Sequence, residues 1–256
     1  MEWSKIKTIL ICVFAAVNVF LFSVYLSGSG TAGLSDETVD ETIRVLELNN
    51  VSVDKSLIKK NFENIKVCNV ENSYATPEDM IEGSADVEYV AKDGLTSDEK
   101  SFTYVPESGS KLYKLDIKNA AKELEKAGLL KKGEYAVVQK EGGVCFYLKF
   151  EDKVFFDSYL YAKQKDGTVY GLYGYNMLGD TVSEGSLAET VSISEILINF
   201  ATSGNETHRE ITSLRAGYYI GTRDGTVRAT ASPVWQIKTS DGNIFYYDMR
   251  NGDLLD

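Results

Sequence analysis

The chain has 256 residues, 43% hydrophobic and 25% charged, a composition typical of folded protein rather than of disorder. Its net charge of −11 argues against nucleic-acid binding, which needs a positive surface. A single histidine, His208, removes most metal centres and catalytic triads, and three cysteines are too few for a disulfide framework. We therefore expect no catalytic, cofactor-binding or metal-ligating residues, and no nucleic-acid partner.

The N-terminal part of the chain is strongly apolar. Residues 8–35 contain no charged side chain, and residues 9–26 are nearly all apolar. At about 1.5 Å per residue this stretch covers roughly 27 Å, close to the hydrocarbon core of a bilayer at about 30 Å. Lys5 and Lys7 precede it, so the positive-inside rule places the N-terminus in the cytoplasm.

These features predict a single-pass protein of the cell membrane. We expect a cytoplasmic N-terminus at residues 1–8, a transmembrane helix at 9–26, and a flexible linker at 27–35 that is rich in Gly and Ser. A cleaved signal peptide is the alternative, but its apolar region is usually only about 7–15 residues long. An uncleaved anchor is therefore favoured, with everything after it extracytoplasmic.

The predicted membrane helix presents two surfaces that favour contact with other helices. Asn18 lies near its middle, and a polar amide inside a bilayer seeks a partner on another helix. A second surface consists mostly of small side chains, which let another helix approach closely. The candidate interaction residues are Phe14, Asn18, Phe22 and Tyr25 on the first surface, and Cys12, Ala15, Ala16, Val19 and Ser23 on the second.

The outer region reads as helices interspersed among strands. Helices are expected at 36–48, 54–63, 116–127 and 193–203, where Asp116 caps the third and Ser192 with Glu195 forms a capping box on the fourth. Pro233 has no N–H to donate, so its strand is expected to be an edge strand or to begin there. Strands are expected at 65–74, 85–92, 99–105, 111–115, 134–140, 143–150, 153–163, 168–177, 209–220, 226–238 and 243–249.

This order of elements predicts an α+β fold, with helices packed on antiparallel sheets. The pattern of a helix followed by several strands occurs more than once. Two α+β subdomains, at 36–115 and 116–256, are therefore expected, and they could be related by duplication.

Aromatic residues cluster near the C-terminus and admit two interpretations. Tyr218-Tyr219, Trp235 and residues 245–247 could form a face that binds sugar or peptide, but alternation along strands favours packing in a core. Carboxylate pairs could serve a hydrolase, although so acidic a chain brings carboxylates together in any case. Cys68 and Cys145 could pair outside the membrane, and spacing does not decide it.

The N-terminal sequence Glu2-Trp3-Ser4-Lys5-Ile6-Lys7-Thr8-Ile9 resembles the start of YycI-type proteins of Gram-positive bacteria, which run directly into one membrane helix. Asn18 also matches an Asn in that helix. The turn at 49–54 is similar to a turn of the family after its first outer helix. Residues 232–235, with 245–247 and Asn251-Gly252, are similar to its last hairpin.

The resemblance implies a regulator rather than an enzyme. YycI-type (WalI) proteins work with a YycH protein on the sensor histidine kinase of the YycF–YycG (WalR–WalK) two-component system, which governs cell-wall metabolism. The expected partners are a YycG/WalK-like kinase, contacted through the membrane helix, and a YycH-like protein, contacted also through the outer domain, in a homo- or heterodimer. The alternatives are a tethered binding module for wall fragments or a secreted protease, and an anchored hydrolase.

Overall fold

A computed structural model of the chain describes residues 36–59, 66–71, 78–79, 81, 95–98, 100–177, 182–187, 190–203, 208–221 and 228–255. The predicted membrane helix, with its nine candidate interaction residues, lies outside this part of the chain, as does the strand expected at 85–92. Within the described ranges, no helix has both the length and the apolar composition that crossing a bilayer takes.

The helices largely follow the sequence prediction. They are α1 (Asp36–Leu48), α2 (Lys55–Lys59), a 3-10 turn (Ile117–Asn119), α3 (Ala120–Lys126) and α4 (Ile193–Thr202). Both predicted caps are confirmed: the Asp116 carboxylate accepts from the Lys118 N–H at 2.9 Å, and the Ser192 Oγ accepts from the Glu195 N–H at 3.2 Å. Such caps satisfy N–H groups that the first turn of a helix leaves without a partner.

The strands form most of the fold and also agree with most of the predicted ranges. They are β1 (Val51–Val53), β2 (Lys66–Glu71), β3 (Leu95–Ser97), β4 (Ser101–Tyr104), β5 (Tyr135–Lys140), β6 (Gly143–Phe150), β7 (Lys153–Lys165), β8 (Thr168–Tyr175), β9 (Val182–Leu187), β10 (Arg209–Tyr219), β11 (Arg228–Thr239), β12 (Ile244–Asp248) and β13 (Leu254–Leu255). The protein therefore has a mixed α+β fold that is rich in sheet.

The described strands join in one sheet of 13 strands, along the path β13-β12-β11-β10-β7-β8-β4-β3. β1 adds to β10, β2 joins β11 to β9, and the β5–β6 hairpin adds to β7. Strands before residue 115 thus pair with strands after it, so the two expected subdomain ranges share this sheet. The boundary at 115 stays a prediction.

Two of the pairings are parallel, although the sequence predicted antiparallel sheets. β1 runs parallel to β10, and β10 meets β7 in parallel at Tyr218 and Phe155. Parallel neighbours require long crossover connections. The chain supplies one between β7 and β10, because β8, β9 and α4 all lie between them in sequence.

Two hydrophobic cores cover one side of different parts of the sheet. In the first, α1 and α4 pack on β10, β11 and β12 through residues such as Leu46, Phe200 and Trp235. In the second, α3 packs on β4, β6, β7 and β8 through residues such as Leu124 and Phe146. Successive side chains along a strand point to opposite faces of the sheet, so the sequence neighbours of these core residues lie on the other side.

The strand predicted at 111–115 is wrong. This segment consists of turns, in which the Ser110 Oγ accepts from the Leu112 N–H at 3.0 Å and the Tyr113 N–H donates to the Ser110 carbonyl at 3.0 Å. Lys114 has a left-handed φ of 53°. Leu112 is fully buried, so its apolar side chain serves the core from a turn rather than from a strand.

The prediction that Pro233 marks an edge or a strand start is also wrong. Pro233 lies inside β11, paired with Tyr218 of β10. The other side of β11 pairs with β2 up to Ala231 and with β12 from Val234 onward. Pro233 falls between these two ladders, so its missing N–H removes no hydrogen bond from the sheet.

Candidate functional site

The candidate site centres on an irregularity in β7. Tyr147 of β6 pairs with Tyr159, yet Lys149, only two residues further along β6, pairs with Val154. Residues 155–158 therefore leave the β6 ladder, and Phe155 pairs with Tyr218 of β10 instead. An irregularity of this kind bends a strand and re-aims its side chains. Here it joins the part of the sheet that carries the first core to the part that carries the second.

Asp157 occupies this irregular segment and is buried, with 6% of its surface exposed. Its two carboxylate oxygens accept from the Ile220 N–H at 2.9 and 3.0 Å, and one also accepts from the Gly221 N–H at 2.8 Å. The Asn176 Nδ2 donates to it at 3.2 Å. The carboxylate thus connects β7 to the ends of β8 and β10.

Burial raises the pKa of Asp157 above its ordinary value, while the N–H groups of Ile220 and Gly221 partly offset that effect. Asn176 holds its place with a left-handed φ of 47°, and its carbonyl accepts from the Ser158 Oγ at 2.9 Å. With its oxygens engaged and its surface covered, Asp157 braces the sheet and is poorly placed for acid–base chemistry on a ligand.

Half-buried tyrosines line the side of the sheet opposite the two cores. On β6, β7 and β8, the Tyr159 ring lies 5.5 Å from that of Tyr147, 5.8 Å from that of Tyr175 and 6.2 Å from that of Tyr173. On β10 and β12, the Tyr219 and Tyr246 rings are 5.3 Å apart. We call these residues the tyrosine face: Tyr147, Tyr159, Tyr173, Tyr175, Tyr219 and Tyr246.

A small buried cluster joins the two groups of tyrosines. Val154, Phe156 and Val234 form this junction cluster, and Tyr147, Tyr219 and Tyr246 all pack against it. The Phe156 and Tyr246 rings are 5.5 Å apart. Ala136 and Leu255 also pack against the cluster. All of these described residues lie on strands, and none lies on a helix. The tyrosine face is therefore one continuous aromatic surface.

Cationic side chains lie over these rings. The Lys140 Nζ is 5.1 Å from the Tyr147 ring centroid and 5.6 Å from that of Tyr159. The Lys163 Nζ is 5.9 Å from the Tyr173 centroid, and the Arg215 guanidinium carbon is 5.8 Å from the Phe156 centroid. Each contact has cation–π geometry.

Four tyrosines of the face, Tyr147, Tyr159, Tyr175 and Tyr246, have hydroxyl groups that stay protonated at neutral pH. Burial, with a smaller contribution from Tyr173, raises the pKa of Tyr159 to about 12. Burial also raises the pKa of Tyr147, Tyr175 and Tyr246 above the ordinary value. The face therefore offers phenol O–H groups and positive charges, a combination suited to binding acceptors and anions rather than to covalent chemistry.

Gly217 allows the junction cluster to pack against β10. A Cβ at this position would lie 2.5 Å from the Val154 carbonyl oxygen and 2.6 Å from the Phe156 ring. We expect Gly217→Ala to lower the free energy of unfolding by about 1–3 kcal/mol, because the backbone oxygen cannot move away freely. Urea denaturation measures this.

The matched control is Gly109→Ala, since a Cβ at Gly109 meets nothing within 4 Å. It should change the free energy of unfolding by less than about 0.5 kcal/mol. Equal losses for the two variants would show that the junction cluster does not require a glycine.

The C-terminal aromatic residues divide between the two sides of the sheet. Tyr218, Trp235 and Tyr247 are buried in the first core, which confirms the core interpretation for them. Tyr219 and Tyr246, their neighbours in sequence, belong to the tyrosine face. The core interpretation is thus confirmed for alternate residues, and the binding interpretation stays a prediction for Tyr219 and Tyr246.

Of the other residues singled out in the sequence, His208 lies apart from this face, whereas Cys145 forms a side-chain hydrogen bond with Tyr147. His208 is exposed, with its Nε2 3.5 Å from the Ser52 Oγ. Cys68 on β2 and Cys145 on β6 are both buried, and neither forms a disulfide.

The sequence reasoning missed Asp157 and the tyrosines of β6, β7 and β8. A signal for the tyrosines exists, since Tyr159 and Tyr161, and Tyr173 and Tyr175, are spaced by two residues on adjacent predicted strands. No sequence signal marks Asp157, because its partners are backbone N–H groups distant along the chain.

Clusters that could hold a metal are absent from the described ranges: no three His, Cys, Asp or Glu side chains lie together in a suitable arrangement. Comparison of the chain with protein-family models gave no match, and comparison with curated proteins gave none either. The interpretation of function therefore depends on the residues themselves.

Proposed function

We propose that this chain is a non-enzymatic, membrane-anchored regulator of a cell-wall-sensing histidine kinase, similar to YycI-type proteins. One observation carries the proposal: the charge-free stretch 8–35, preceded by Lys5 and Lys7, leads directly into α1, which begins at Asp36. A membrane helix at 9–26 followed by a folded acidic region is the layout of that family.

The linker at 27–35 keeps the outer region close to the bilayer. Nine extended residues span at most about 30 Å, so the fold that begins at Asp36 is confined to a thin layer above the membrane. Confinement raises the effective concentration of any membrane partner, so modest contacts between helices are sufficient for association.

The membrane helix itself is the proposed regulatory contact. Asn18 supplies a polar group at mid-membrane, and the surface with Ala15, Ala16 and Val19 allows close approach. A kinase that exchanges between two signalling states responds to any partner that binds one state better than the other. The outer domain, in two α+β subdomains at 36–115 and 116–256, pairs with a YycH-like protein.

The test replaces residues 9–26 with an unrelated membrane helix of equal length. We expect the chain to stay in the membrane but to lose its effect on the kinase, measured as phosphorylation of the response regulator in cells. Asn18→Leu within the native helix should weaken recovery of the kinase in a detergent pull-down.

The control is a chain that lacks residues 1–35 and is exported without an anchor. It tests whether regulation requires attachment to the membrane. If regulation survives replacement of the helix, the proposal that the chain acts through contacts of its membrane helix is wrong. The alternative function would then apply, in which the helix is only a tether for an extracytoplasmic binding module, and the tyrosine face is the feature that favours that alternative.

A further inference from the structure

We propose that the tyrosine face is a docking surface for an extended, acidic segment of a protein partner that also carries apolar side chains. The inference goes beyond the proposed function, because it concerns the outer fold and does not depend on how residues 9–26 act.

Positive charge is concentrated on the tyrosine face. Lys140, Lys163 and Arg215 lie over the tyrosine face, and none of them forms a salt bridge with a residue of the described ranges. The chain as a whole carries a net charge of −11, so this concentration of positive charge contrasts with the rest of the molecule. Charge complementarity therefore selects a partner with carboxylates.

The one buried carboxylate beside the face does not cancel that charge. Asp157 influences both Tyr175 and Tyr246, but its oxygens are engaged by N–H groups of β10 and by Asn176. Burial favours its neutral form. Lys140, Lys163 and Arg215 outnumber the two carboxylates, Asp98 and Asp157, that influence the tyrosines of this face.

The geometry of the rings favours a protein over a carbohydrate as the ligand. Sugar rings stack on open, flat aromatic faces, whereas the Lys140 ammonium already lies over both Tyr147 and Tyr159. The rings are also tilted, with 51° between Tyr147 and Tyr159 and 49° between Tyr159 and Tyr173. Half-buried tyrosines, with an apolar ring and a polar O–H group, are instead typical anchors of protein interfaces.

The tyrosine face extends across several strands. Tyr246, Tyr219 and Tyr175 lie half-buried on β12, β10 and β8, and the buried Val234 and Phe156 lie between them on β11 and β7. At about 4.8 Å per strand the surface is roughly 19 Å long, which about six extended residues span. The two cores cover the opposite side of these strands. A single extended segment that crosses the strands therefore fits this surface.

The experiment uses the full chain in nanodiscs and three fluorescent probes: a random copolymer of glutamate and tyrosine, a copolymer of lysine and tyrosine, and an oligomer of N-acetylglucosamine. Fluorescence anisotropy measures binding at low and high salt. We expect the acidic copolymer to bind, salt to weaken its binding, and the other two probes to bind at least tenfold more weakly.

The test variant is Lys140→Glu with Arg215→Glu, both at exposed positions. It should weaken binding of the acidic copolymer by about tenfold or more, since a tenfold change corresponds to about 1.4 kcal/mol. The matched control is Lys118→Glu with Lys122→Glu, which makes the same charge change on the 3-10 turn and α3, at the second core. It should weaken binding by less than twofold, and thermal unfolding verifies that both variants fold.

Equal weakening in the two variants would overturn the proposal, because net charge and not this surface would then be responsible. If the sugar oligomer binds to the wild type and the test variant abolishes that binding, the ligand of the face is a carbohydrate, and the proposal of a protein partner is overturned. A dimer of the chain that only the test variant dissociates would show that the face binds a second copy, and this also overturns the proposal.

Discussion

Phe200→Ala is expected to lower the free energy of unfolding by about 3–5 kcal/mol. Phe200 is fully buried on α4, and its ring lies 5.3 Å from that of Phe245 and 6.4 Å from that of Tyr247 on β12. The Arg209 guanidinium carbon lies 4.3 Å from the same ring centroid. The substitution therefore removes one of the contacts that pack α4 on the sheet, the one that reaches both β10 and β12.

Urea denaturation of residues 36–256, followed by far-UV circular dichroism, measures this loss. Phe200→Leu is the control, because it keeps most of the apolar volume and should cost about 1–2 kcal/mol. A loss below about 1 kcal/mol for the alanine variant would show that α4 is held on the sheet by other contacts.

Asp157→Ala is expected to cost about 2–4 kcal/mol at neutral pH. The substitution leaves the buried N–H of Ile220 and the N–H of Gly221 without their acceptor, and each orphaned donor costs about 1–3 kcal/mol. Relief of the buried charge offsets part of this loss. Asp157→Asn keeps an acceptor oxygen at the site, so it should be the milder variant in the same denaturation assay.

Because of Asp157, we also expect the free energy of unfolding to depend on pH in a specific way. Its pKa in the folded protein is raised, so the folded state binds a proton more readily than the unfolded state between the ordinary value of 3.8 and the folded value. The contribution of Asp157 to stability is therefore largest below that window and decreases as the pH rises through it.

The comparison of wild type with Asp157→Asn isolates this effect, since the amide does not titrate. As the pH is lowered from neutral towards about 4, the wild type should gain stability relative to the variant. Parallel stability curves for the two proteins would contradict a raised pKa at this position.

Local signals in the sequence were sufficient for most of the elements. The helix 36–48 and the caps at Asp116 and Ser192 were predicted from side chains that act within one turn, and the structure confirms them. The hairpin strands after residue 134 follow from alternation and from turns such as Asp166-Gly167, where both residues have positive φ.

The remaining features depend on contacts distant in sequence. Turn geometry at Ser110 and Lys114 overrides the alternation of residues 111–115, and the place of Pro233 between two ladders depends on strands β2 and β12. The buried carboxylate of Asp157 is recognisable only after β7 and β10 have met. The aromatic surface could be predicted only in part from the sequence. Alternation predicts which tyrosines share a side of one strand, but it does not predict which strands are neighbours in the sheet.

The parallel pairing of β1 with β10 has a consequence for how the protein forms. β1 pairs with residues 209–211 of β10, and β2 pairs with β11. Neither early strand can therefore pair before the strands near the C-terminus have been synthesised. Such distant pairings slow folding and leave strand edges open in the meantime. We therefore expect β1 and β2 to gain protection from hydrogen exchange only after β10 and β11 have formed.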